Sequence, residues 1–160
     1  MKLALCFSGQ PRFTEECSGS ILTNVIQNHD VDVFAHLWFD EDLQTKPYKY
    51  GGTGAWEAQR IQENAIETFQ KIYQPVSLAV EKSKFFGDPD LDADFEASEA
   101  KYWPGGIEEQ PDFQKRQINN SLSYFYSLCE ANRLRKLYEY DKKIKYDYVI
   151  RCRTDSVVQV

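Results

Sequence analysis

The sequence predicts an α/β protein, a three-layer α/β/α sandwich around a mostly parallel sheet, and three observations carry that reading. Four short apolar runs, Leu3–Phe7, Val31–Phe39, Val76–Val80 and Tyr148–Arg153, have the length and the β-branched or aromatic content of strands. Segments with apolar residues recurring at three and four positions lie between them. The resulting order of alternating strands and helices, joined by right-handed crossovers, makes a mostly parallel sheet with helices on both faces. With 160 residues and 42% hydrophobic content, the chain can bury roughly two-thirds of its unfolded surface, which excludes a disordered tail or a collagen-like repeat.

The first run, Leu3-Ala4-Leu5-Cys6-Phe7, is continuously apolar, as befits a central strand buried on both faces, and Ser8-Gly9-Gln10-Pro11 closes it. A helix is expected over Glu15–Gln27, with Ile21, Leu22, Val25 and Ile26 on its apolar face and Gly19 as a weak point. The second strand places Asp32, Phe34, His36 and Trp38 on one side at a period of two. A polar, glycine-rich segment follows over 40–53. A helical pattern returns from Trp56, through Ile61, Ala65, Ile66 and Phe69, until Pro75 stops it. Residues 81–113 read as an irregular excursion from a single domain spanning 1–160, with a short helix around 94–101. The clearest helix runs from Phe113 to Tyr140. Its expected buried stripe is Ile118, Leu122, Phe125, Cys129, Leu134 and Leu137, with Tyr124, Leu128 and Tyr138 beside it.

Charge and cysteine content narrow the function. With 19 basic against 25 acidic residues, a net charge of -6, the chain lacks the basic footprint of a duplex-binding protein, so nucleic acid is not expected as a partner. No run approaches the roughly 18 apolar residues that cross a bilayer. Cys6, Cys17, Cys129 and Cys152 show no metal-ligand spacing. Reduced thiols in apolar strands suit a cytoplasmic setting.

In open parallel sheets ligands sit beyond the carboxyl ends of the strands, so the residues there are the candidates. After the first strand, Gly9 allows close backbone approach, Ser8 and Gln10 can hydrogen-bond a base or ribose, and Arg12 offers a guanidinium to phosphate. The chain has neither the six-residue dinucleotide fingerprint nor a phosphate loop with Gly-Lys-Ser or Gly-Lys-Thr. His36 reads either as a tucked strand histidine or, with Asp40, as a base and a metal ligand. The last strand leads into Arg151, Arg153 and Asp155. These charges either converge on a phosphate-bearing ligand or pair internally, Arg153 with Asp155 or Arg151 with Asp32. Arg116 and Asn120, near the start of the long helix, are further candidates for ligand contact. Trp56 and Trp103 sit in glycine-rich settings and are packing or lid residues.

The stretch Leu3-Ala4-Leu5-Cys6-Phe7-Ser8-Gly9-Gln10-Pro11-Arg12 resembles the start of a group of glycosyltransferases found in bacteria and in large or marine viruses. Asp32-Val33-Phe34-Ala35-His36-Leu37-Trp38 is similar to that group's second strand, and Tyr146-Asp147-Tyr148-Val149-Ile150-Arg151-Cys152-Arg153-Thr154-Asp155 to its fourth. The resemblance implies a Rossmann-like sheet of the GT-A kind that binds a nucleoside diphosphate sugar and passes the sugar to an acceptor. It implies that Ser8, Gly9, Gln10 and Arg12 flank the nucleotide. It also implies that Asp155 binds a divalent cation, manganese or magnesium, in the short acidic motif after the fourth strand. That motif's first acidic position is Arg153 here, and an arginine can itself neutralise diphosphate charge.

An enzyme of this kind continues into an acceptor-binding half, whereas this chain ends five residues after Asp155. Two functions follow as expectations. One is a glycosyltransferase or its donor-binding half, paired with a C-terminal half or a second copy; His36, Asp40, Glu41 and Asp42 are the only base candidates for it. The other is a non-catalytic nucleotide-binding or protein-interaction module derived from the same fold.

Overall fold

The computed structural model describes residues 1–39, 63–84, 86 and 111–158, with backbone alone over 111–118. Four strands, β1 (Lys2–Gly9), β2 (Asp30–Trp38), β3 (Ser77–Glu81) and β4 (Tyr148–Cys152), form one sheet in the order β3-β2-β1-β4. Every pairing is parallel. The helices are α1 (Thr14–Ile21), α2 (Ala65–Tyr73) and α3 (Pro111–Lys142). The chain divides into two units, Met1–Ser83 with Ser127–Val160, and Lys84–Tyr126.

The first unit is a three-layer α/β/α arrangement, and the period of the strands explains its two cores. Leu5 and Phe7 of β1 and Val33, Ala35 and Leu37 of β2 point to one side. There they meet Ile21 and Val25, and Phe69 and Tyr73 of α2. Phe7 packs edge-on against Phe69 with ring centres 5.2 Å apart and lies 4.5 Å from the Tyr73 ring. Ala4, Cys6 and Phe34 point to the other side and meet Ala131 of α3 and Tyr146. Burial pushes the Cys6 thiol up to about 11, so it packs as a neutral apolar group. β1 is buried along almost its whole length, as a strand with neighbours on both edges and helices on both faces must be.

Several expected elements shift in detail. The helix expected over Glu15–Gln27 begins at Thr14 and is α-helical only to Ile21. A π-helical turn, Leu22–Ile26, then carries it to Gln27, whose N–H donates to the Leu22 carbonyl over 2.8 Å. Gln74, in left-handed conformation at φ 44°, caps α2 just before Pro75. The expected stripe on the long helix needs correction. Leu122, Phe125, Cys129 and Leu137 are exposed, while Ser127 and Ala131 are fully buried, with Leu134 and Tyr138 partly so. The face that meets the sheet is thus Ser127, Ala131, Leu134 and Tyr138, at spacings of four, three and four, rotated from the expected stripe. The glycine-rich segment 40–53, the helical start at Trp56 and the short helix at 94–101 lie outside the described residues.

In the second unit the Lys84 ammonium lies 3.0 Å from the Tyr126 hydroxyl, as donor to it, and 4.6 Å from the ring centre. The Phe86 N–H donates to Asn119 Oδ1 over 2.7 Å, and the Phe86 ring packs on Tyr126.

At the amino ends of the strands a charged staple fixes register. Lys2 Nζ lies 3.1 Å from Asp32 and 3.3 Å from Asp30, and the Tyr146 hydroxyl donates to Asp32 over 2.6 Å. Asp32 is therefore not the partner of Arg151 that the sequence left open. Across β1, Asp32 is level with Ala4 but Arg151 with Cys6, two residues further along.

Replacing Phe7 by Ala should lower stability by about 3–5 kcal/mol in urea denaturation, because it empties the centre of the larger core. Phe125→Ala, at an exposed position, should change it by less than about 1 kcal/mol. Equal effects from the two substitutions would contradict this assignment of faces.

Candidate functional site

The strand order makes the site. From β1 the chain steps outward to β2 and β3, then returns to the other edge of β1 as β4. The strand order therefore reverses between β1 and β4, and a crevice outside the carboxyl ends of an open parallel sheet forms at such a switch point. In register, Phe7 of β1 lies beside Cys152 of β4. The segment from Ser8 to Arg12 and the segment from Arg153 to Asp155 thus emerge side by side.

Two hydrogen bonds join these segments to the scaffold. The Thr154 hydroxyl, buried, donates to the Gln10 carbonyl over 3.0 Å, tying the turn after β4 to the turn after β1. The Gly9 N–H donates to Ser127 Oγ of α3 over 2.9 Å. Gly9 has φ 108°, a backbone conformation that side-chain-bearing residues rarely adopt, and a Cβ there would meet nothing within 4 Å. Torsion rather than space therefore calls for glycine at this turn. Beyond Asp155 the chain is held to the end of α1: the Val158 N–H donates to Ser20 Oγ and the Val158 carbonyl accepts from Asn24.

Ser127 Oγ is the centre of a buried cluster. It donates to the His36 carbonyl over 3.1 Å and lies 2.8 Å from His36 Nδ1. With the hydroxyl proton on that carbonyl, Nδ1 donates to the same oxygen; with the hydroxyl proton on Nδ1, the ring proton sits on Nε2, toward Glu81. His36 Nε2 lies 3.4 Å from Glu81 Oε1 at the end of β3. The order Ser127, His36, Glu81 resembles a nucleophile with its base and orienting acid. Ser127 and His36 are nevertheless both 0% exposed, and the hydroxyl already serves three backbone and ring partners. The cluster ties α3 to β1 and β2, and its serine is not open to a substrate.

The charged groups lie above it. Arg153 Nε and Nη2 donate to the two oxygens of Asp155 over 2.8 and 2.7 Å. These bonds hold the Asp155 carboxyl below its ordinary value, burial opposes them, and the nearby Arg12 guanidinium adds to the lowering. Arg12, Arg153 and Asp155 are thus brought into one electrostatic neighbourhood. Ser8 is buried and His36 fully so, whereas Gln10 enters through its carbonyl. Asn120 is exposed and belongs, with Arg116, to the second unit; the side chain of Arg116 lies outside the described residues, as do Asp40, Glu41, Asp42, Trp56 and Trp103. Sequence reasoning missed Ser127 and Glu81. The available signal for Ser127 was its spacing, four before Ala131, on one helix face.

Both oxygens of Asp155 face Arg153, and among the described residues no group of three or more His, Cys, Asp or Glu side chains is placed to hold a metal ion. These residues do not fit a divalent cation as arranged. Among the described residues no helix is long and apolar enough to cross a membrane. Compared with known protein families, curated proteins and solved structures, the chain matches none at a significant level. What the architecture itself establishes is a small α/β unit with a Rossmann-like, GT-A-like parallel sheet, a kind of fold widely used to bind nucleotides.

Two outcomes test this geometry. Ser127→Ala strips the partner from a buried N–H and a buried ring nitrogen, so it should cost about 1–3 kcal/mol and speed hydrogen exchange at the Gly9 amide; unchanged exchange there would refute the tie. The Arg153–Asp155 pair, with its depressed carboxyl, contributes stability above the ordinary value of 3.8 and loses it as pH falls through the lower folded value. The difference in urea midpoint between the native protein and Asp155→Asn should therefore shrink as pH is lowered past that range. A difference that grows instead would reverse the sign of the coupling.

Proposed function

We propose that this chain binds a nucleoside diphosphate sugar at the β1–β4 switch point and acts as a glycosyltransferase or as its donor-binding half. The observation that carries the reading is the juxtaposition at the switch point. A turn with glycine at φ 108°, leading into Arg12, and the turn that carries Arg153 leave the adjoining ends of two parallel strands. Backbone at such a turn admits a phosphate closely, and planar guanidinium groups match its oxygens in pairs. The resemblance of the first, second and fourth strand segments to glycosyltransferases supports a sugar nucleotide over other nucleotides.

In this reading Arg12 and Arg153 bind the diphosphate and stabilise the charge that develops on it as the bond to the sugar breaks. Ser8 and Gln10, on the turn after β1, lie along the nucleotide. A base among Asp40, Glu41 and Asp42 takes the proton of the incoming acceptor hydroxyl. His36, buried, serves by holding β2 to Ser127 of α3 and Glu81 of β3. The reduced thiols fit a cytoplasmic setting.

One observation favours a second reading, a non-catalytic module of the same fold. Arg153 and Asp155 are closed on each other, as internally paired residues of a binding or interaction protein would be.

Calorimetric titration with uridine, guanosine and cytidine diphosphates, with and without manganese, separates the two. Binding of one of them is expected, weakened about tenfold or more by Arg12→Ala or Arg153→Ala, the scale of a lost hydrogen bond to a charged group. If no nucleoside diphosphate binds under any condition, the donor-site reading fails and the second reading stands.

A further inference from the structure

We propose that Asp155 is a built-in anion that occupies the Arg153 guanidinium in the absence of ligand, so that a phosphate group binds by exchanging with this carboxylate. The inference rests on the diphosphate-site reading above and adds a competitor that regulates the site.

The geometry of the pair is the starting point. Arg153 presents Nε and Nη2 to both oxygens of Asp155, at 2.8 and 2.7 Å. This side-on, two-bond arrangement is the one in which a guanidinium also receives two phosphate oxygens. The same edge of the same group cannot serve both, so carboxylate and phosphate compete for it.

The two partners differ in freedom. Thr154, between them, is buried and bonded to the Gln10 carbonyl, and the Ser156 N–H donates back to the Arg153 carbonyl over 3.2 Å. These bonds anchor the turn on which both residues sit. The Asp155 side chain is 22% exposed, against 55% for Arg153. The carboxylate is thus the more enclosed member of the pair, and the guanidinium the more exposed one, open to an incoming anion. A pair this exposed is weak enough to be displaced, because solvent screens it and holding it costs side-chain freedom.

The roles then separate cleanly. A residue that contacts the ligand through its own atoms weakens binding when removed. A competitor strengthens it, and only while the residue it competes for is present.

Inorganic pyrophosphate is the probe, titrated calorimetrically into the full chain and into Asp155→Asn, Arg153→Gln and the double variant, with thermal melts as a folding control. Asp155→Asn should bind pyrophosphate about three- to tenfold more tightly than the native protein, the range expected for release of a partly exposed ion pair at an anion site. In the Arg153→Gln background the same change should bring little or no gain. Asp155→Ser, which also removes the charge, should reproduce the gain should the asparagine variant fold poorly. Binding that is unchanged or weaker in both Asp155 variants, while the native protein binds, overturns the exchange and leaves the site reading intact. A gain of equal size with and without Arg153 also overturns it, since simple removal of a nearby negative charge would then account for the effect. Absence of pyrophosphate binding in all of the proteins overturns the site reading and the exchange together.

Discussion

One hydroxyl group holds the working end of this sheet in place. Ser127 Oγ receives the Gly9 N–H at the end of β1 and lies against the ring and carbonyl of His36 near the end of β2. In a parallel sheet the last amides of each strand have no further ladder partner and must be satisfied by something else. A helix that supplies one buried side-chain oxygen solves that problem for the Gly9 amide of β1, and the same oxygen, set against the carbonyl and ring of His36, ties β2 to that point. Because the cluster is shielded from water, each of its bonds is stronger than it would be at the surface, and leaving any of its groups without a partner is correspondingly costly.

The position of β1 explains why this matters for function. β1 has β2 on one edge and β4 on the other, and helices on both faces. It has no freedom to move without disturbing both cores. The turns after β1 and β4 consequently share a rigid floor, and the Thr154–Gln10 bond joins them directly. Arg153 and Asp155 stand on the second of these turns, closed on each other. At the opposite ends of the strands, Lys2, Asp30, Asp32 and Tyr146 use charge for a different purpose, to hold register.

The chain from buried Ser127 and His36 to half-buried Glu81 shows why residue types alone do not define chemistry. The same types, in the same order, make a nucleophile when the serine is open and its oxygen is free to attack. Here the oxygen is surrounded by partners and closed to solvent, and the identical chemistry becomes a structural tie.

The strands were readable from the sequence because their signal is local. Continuous apolar runs such as Leu3–Phe7 and the two-residue period that sorts Asp32, Phe34, His36 and Trp38 onto one face arise from neighbouring residues, and the structure reproduces both. The alternation of strands with helices was enough to imply a parallel, helix-covered sheet, since right-handed crossovers leave few other arrangements. The strand order is a different matter. That β4 lies against β1, bringing Arg153 and Asp155 next to the turn at Gly9, depends on contacts between residues more than a hundred positions apart. The same holds for the face that α3 turns to the sheet: large side chains suggested one stripe, but the buried positions are Ser127 and Ala131, with Ser127 bonded to the ends of β1 and β2. Local physics determined the elements and which residues stand at their ends; only long-range packing decided which ends meet, because that choice is made by shape and by partners that the chain brings together on folding.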